Sequence, residues 1–206
     1  MDLMDLLQGQ LSEGLIDQLS QNLGGANKQQ TADAASGILS TMVSALAKNA
    51  STPEGASSLA NALDNDHDGS VLDNVMDMIG GSNTNAQPEN SRMMNGAGIL
   101  KHVLGGKQSG AIDMISKISG LEGNKTGNLM SMLAPLVMGA LGRTKREQGL
   151  NPTDLAGMLS GSVQSASNKR AEMGLIGKFL DQDGDGSVMD DLANMGMKLF
   201  GKFLSK

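Results

Sequence analysis

The stretch Ala35-Ser-Gly-Ile-Leu-Ser-Thr-Met-Val-Ser-Ala-Leu46 decides the fold class. Its apolar residues, Ala35, Ile38, Leu39, Met42, Val43 and Leu46, recur at spacings of three and four, which stacks them on one helix face. A half-buried strand would need alternation at a period of two, and no such alternation runs through the chain. Upstream, Asn27 with Gln30 three residues later resembles a capping box opening this helix, and Gly24-Gly25 closes the segment before it. That earlier segment sets Leu3, Leu7, Leu11, Leu15, Leu19 and Leu23 four residues apart, with an expected break near Gly9 or Gly14. Downstream, Thr52-Pro53-Glu54 is a helix start, threonine capping and proline in the first turn. The sequence predicts an all-α fold.

The helix opened by Pro53 runs into Leu63-Asp-Asn-Asp-His-Asp-Gly-Ser-Val-Leu-Asp73, and a near copy follows at Leu180-Asp-Gln-Asp-Gly-Asp-Gly-Ser-Val-Met-Asp190. Each places aspartates at loop positions 1, 3 and 5, glycine at 6 and serine at 7, the first half of an EF-hand calcium loop. Alternating carboxylates converge on one hard cation, glycine permits the sharp turn, and residue 7 offers a backbone carbonyl. A single copy also arises as a solvated acidic turn. Two copies sharing Gly-Ser-Val and a later aspartate favour the metal reading. The expected ligands are Asp64, Asp66, Asp68, Ser70 and Asp73 in loop 64–75. In loop 181–192 they are Asp181, Asp183, Asp185, Ser187, Asp190 and Asp191, giving two calcium sites in all.

The bidentate glutamate expected at position 12 is replaced by Val75 and Leu192. A shortened loop is expected, with the exit helix starting early, Asp73 or Asp190 turned back to the ion, and weakened affinity. His67, at position 4, is expected to face solvent and not to be a ligand.

Composition narrows the remaining choices. The chain has 206 residues, enough for one good core or two small ones, and no cysteine, hence no disulfides and no thiolate zinc site. The two histidines, His67 and His102, are too far apart in sequence to suggest a histidine metal centre. A net charge of −6 and the lack of tryptophan and tyrosine argue against a nucleic-acid surface. Lys145-Arg146 and Lys169-Arg170 read as solvated helix ends. Sixteen methionines, spread along the helices, read as core filler rather than as an adaptable binding surface. The N-terminus lacks a basic start and no run approaches a membrane span, so the default compartment is cytoplasmic, with leaderless export open.

The two halves echo each other. Ile112-Asp113 answers Ile16-Asp17, Val137-Met-Gly-Ala-Leu141 answers Met42-Val-Ser-Ala-Leu46, and Asn151-Pro152 answers Thr52-Pro53. A duplicated multi-helix unit is expected: a first repeat over 1–81, a polar linker over 82–94, and a second repeat over 95–206 with an insert at 160–180. Pro135 should kink its helix by freeing the Ser131 carbonyl. Phe179, Phe200 and Phe203 flank the second loop and read as local core.

Three segments, Asn49-Ala-Ser-Thr-Pro-Glu-Gly55, Asn95-Gly-Ala-Gly-Ile-Leu-Lys-His-Val-Leu-Gly-Gly106 and Leu133-Ala-Pro-Leu-Val-Met-Gly-Ala-Leu141, resemble signatures of one bacterial family. It is the domain-of-unknown-function family numbered 937, loosely associated with YidB-like proteins. The resemblance covers roughly residues 3 to 160. It implies a bacterial helical protein and carries no activity or functional residues over.

No nucleophile sits in an elbow or triad pattern and no glycine-rich phosphate loop follows a strand, so an enzyme is not expected. The expected function is a calcium-stabilised structural or assembly protein, a homo-oligomer or self-assembling chain. The alternative is a calcium sensor that exposes a methionine-rich surface to a partner protein.

Overall fold

Short polar residues mark where the helices begin. The side chains of Ser12, Asn27, Thr52 and Asn95 accept the N–H of the residue three positions on, at 2.9 to 3.3 Å, satisfying donors that a helix start leaves unpaired. The computed structural model describes residues 3–67, Gly69, Leu72 and 95–169. Among these, the chain is helical with no strand: α1 (Leu3–Gln10), α2 (Glu13–Asn22), α3 (Lys28–Asn49), α4 (Pro53–Asn65), α5 (Gly96–Leu104), α6 (Gln108–Ser119), α7 (Gly123–Gln148) and α8 (Pro152–Lys169). A 3-10 turn, Gly105–Lys107, joins α5 to α6. The first leucine stripe breaks at Leu11-Ser12, between the two glycines expected to break it, because Ser12 caps α2 there. Thr52→Ala removes the α4 cap and should cost about 1 kcal/mol, read as a lower denaturant midpoint at unchanged slope.

The two longest helices, α3 and α7, form the centre. α3 is packed by α1, α2, α5, α6, α7 and α8, so its middle is buried nearly all round rather than along one stripe. Ile38, Met42 and Leu46 of α3 meet Leu129, Met130, Leu133 and Leu141 of α7 in one apolar core. Leu19, Leu63, Leu100, Ile115 and Leu155 close that core from the surrounding helices, so both halves of the sequence line it. Met4, Met42, Met130 and Met138 are buried there, as the filler reading expects.

Helix α7 keeps its assignment across Pro135, which is itself buried. Proline has no N–H, so the carbonyl of Ser131, four residues back, loses its helical partner. The α5 backbone takes the place beside it. A Cβ placed on Gly96 would overlap the Ser131 carbonyl oxygen and lie 2.8 Å from its carbon, so only glycine allows this approach. α8 starts at Pro152 with the Asn151 side chain accepting from Thr153 and Asp154, and runs through Lys169. The first ten positions of the expected insert therefore continue α8. The linker 82–94, the end of the insert, the phenylalanine cluster and the second acidic loop lie outside the described residues.

Candidate functional site

Helix α4 carries the chain into the first acidic loop. It ends at Asn65, and the N–H of Asp66 still reaches the carbonyl of Ala62 at 2.9 Å. Gly69 has φ +93°, a region that side-chain-bearing residues rarely adopt, and its carbonyl accepts from the N–H of Leu72 at 3.1 Å. Asp64 and Gly69 are docked on the last third of α7. Arg143 donates to the Gly69 carbonyl at 3.1 Å, and Lys145 Nζ meets Asp64 Oδ1 at 2.6 Å. A Cβ on Gly69 would come within 2.8 Å of the Arg143 Cβ, so this glycine serves both the turn and the close approach.

Lys145 is thus not the solvated helix end that the sequence suggests. Its side chain is only 13% exposed, because its stem lies against the protein while its ammonium reaches Asp64. Asp64 remains 59% exposed, so solvent screening limits the coupling of the pair to about 0.2–1 kcal/mol. A double-mutant cycle on Lys145→Met and Asp64→Asn, followed by urea midpoint, should read a coupling in that range that shrinks with added salt.

His67 is the second departure. Expected at the surface, it is buried at 6% exposure, and its Nδ1 has no hydrogen-bond partner. The described residues after α4 lie against the helices instead of standing away from them, and the imidazole is buried there. Burial pushes its pKa below the ordinary value of 6.5, against the pull of the adjacent Asp66 carboxylate, so the ring is neutral at pH 7.

His67 lines a cleft of about 650 Å³ between the end of α4 and α5. The apolar wall is Leu46, Leu59, Ile99, Val103 and Met138. Asp66, His67, Asn49 and His102 stand among its polar residues, so two histidines 35 positions apart in sequence share one cleft. Nδ1–H of His102 donates to the Gly98 carbonyl at 2.9 Å, and Nδ2 of Asn49 donates to the Val103 carbonyl at 3.0 Å.

Of the expected ligands, only Asp64 and Asp66 are described, and they face different surroundings: Asp64 the Lys145 ammonium, Asp66 the cleft. Asp68, Ser70, Asp73 and all six residues of the second loop lie outside the described residues. Among the described residues no three Asp, Glu or His side chains gather to hold a metal. Sequence reading missed the parts played by Arg143, Lys145, Asn49 and His102. The only prior signal was that Asn49 and His102 fall in the motif segments quoted above.

A family described as "Bacterial protein of unknown function (DUF937)" matches residues 5–144. No curated protein and no solved structure matches the chain. Among the described residues, no helix is long and apolar enough to cross a membrane.

Proposed function

The chain belongs to this bacterial family, and from that premise we propose that its two acidic loops bind calcium and brace a helical scaffold with a structural or assembly role. The observation that carries the reading is the turn at Gly69. A helix entering at Asp64, followed by positive φ at position 6, is the backbone course an EF-hand loop needs to turn its carboxylates inwards. Asp64 and Asp66 would be ligands of the first loop, with Asp68, Ser70 and Asp73; the second loop would use Asp181, Asp183, Asp185, Ser187, Asp190 and Asp191. Binding at the first loop means that the cation replaces the Lys145 ammonium at Asp64. The matching order of helices in α1–α4 and α5–α8 supports descent from a duplicated unit.

Burial of Met4, Met42, Met130 and Met138 favours the scaffold over the sensor, which needs methionines at a surface groove. The test is a thermal melt of the full chain in chelator and in millimolar calcium, with light scattering on the same samples. Calcium should raise the Tm, since unfolded aspartates are scattered and the ion binds the native chain preferentially. An assembly role also requires a calcium-dependent rise in particle mass. A Tm unchanged across millimolar calcium sinks the metal reading; dye binding gained at constant mass favours the sensor.

A further inference from the structure

The cleft between α4 and α5 has a lining that selects for charge. Asp66 is the only Asp, Glu, Lys or Arg side chain on its described wall, and no described residue forms an ion pair with it. The polar groups around it supply both acceptors and donors, and none of them carries a fixed positive charge. His102 spends its Nδ1–H on the Gly98 carbonyl, which leaves Nε2 as its remaining polar atom. Asn49 donates one of its two Nδ2 hydrogens to the Val103 carbonyl, leaving the other N–H and the Oδ1 acceptor. Asn95 caps α5 with Oδ1 and keeps Nδ2 as a donor, and Ser58 adds a hydroxyl that can donate or accept. His67 adds an independent observation, a side chain 6% exposed on the cleft wall with Nδ1 unpartnered. A buried polar nitrogen without a partner costs stability, so this wall of the cleft is held in place by the packing around it.

We propose that this cleft is a binding site for a small organic amine, a protonated ammonium carried on a compact apolar body. The ammonium takes the Asp66 carboxylate as its counter-charge, with Asn49 Oδ1 and the Ser58 hydroxyl as further acceptors on the wall. The body lies against Leu46, Leu59, Ile99, Val103 and Met138. A volume of about 650 Å³ falls within the range of small-molecule sites, about 300–1,000 Å³. Carboxylates and phosphates are disfavoured, since no lysine or arginine lines the described wall and Asp66 repels them. The reading stands apart from the calcium reading, although Asp66 belongs to both.

The experiment uses the full chain in chelator, so that no divalent cation competes for Asp66. The probe is 2-phenylethylamine, and phenylacetate is the matched anion. The chain has two histidines, so proton NMR gives one resolvable ring signal for each. The amine should move both signals along one saturable isotherm, and phenylacetate should move neither. Asp66→Asn should weaken the amine about tenfold, the scale of one charge-assisted hydrogen bond. Ala62→Phe, which projects a ring from the cleft wall, should abolish binding while circular dichroism stays helical. If that variant fails to fold, Asp66→Asn decides alone. Lack of saturable shifts overturns the site, and equal response to the anion overturns its charge preference. Full affinity in either variant places the amine elsewhere and overturns the assignment. A calcium-insensitive melt leaves all these outcomes readable.

Discussion

Gly96→Ala is expected to destabilise the fold by about 3 kcal/mol, the upper end for a methyl forced into a packed contact. The substitution should otherwise help, because alanine exceeds glycine in helix propensity by up to about 1 kcal/mol. Overlap with the Ser131 carbonyl outweighs that gain, since the atom in the way is backbone and cannot swing aside like a side chain. For a chain of this length, about 3 kcal/mol corresponds to a fall in Tm of about 6–12 °C. Gly157→Ala on α8 is the internal control. A Cβ there meets nothing within 4 Å, so the variant should match or exceed the wild-type Tm. Equal melts for Gly96→Ala and Gly157→Ala would show that α5 does not depend on its approach to α7.

Replacing Asp181 and Asp185 with alanine should remove more calcium-dependent stability than replacing Asp64 and Asp68. One site at calcium about a hundred times its Kd adds about 2.7 kcal/mol, or about 5–10 °C in Tm at this size. The first loop begins at a disadvantage, because the cation must displace an ammonium already 2.6 Å from Asp64. Asp191 also gives the second loop one more carboxylate, where the first has Asn74. Both double variants are titrated calorimetrically at one ionic strength. Loss of the tighter event with the first-loop variant reverses the ranking. If neither variant changes the heat, the loops are acidic turns. Lys145→Met sharpens the comparison, since removing the competing ammonium should tighten the first loop alone.

By itself, the sequence determined the helical class, the caps and the family. These depend on neighbours a few residues apart: the stripe over Ala35–Leu46, the caps Asn27 and Thr52, and the motifs that fall within residues 5–144. It also indicated that Pro135 would free the Ser131 carbonyl, a consequence of one residue's chemistry. What occupies the space beside that carbonyl was decided by the packing of α5 on α7, which brings Gly96 there across 35 residues of sequence. The same holds for the first loop. Its aspartates advertise a cation, but only the docking onto α7 decides that Lys145 reaches Asp64 and that Arg143 holds the Gly69 carbonyl. His67 carries no local sign of burial, being flanked by Asp66 and Asp68 in a polar run. It is buried because the end of α4 packs beside helices distant in sequence, and Asn49 and His102 join it in one cleft for the same reason. Periodicity and capping are properties of the local chain; a cleft belongs to the way helices pack.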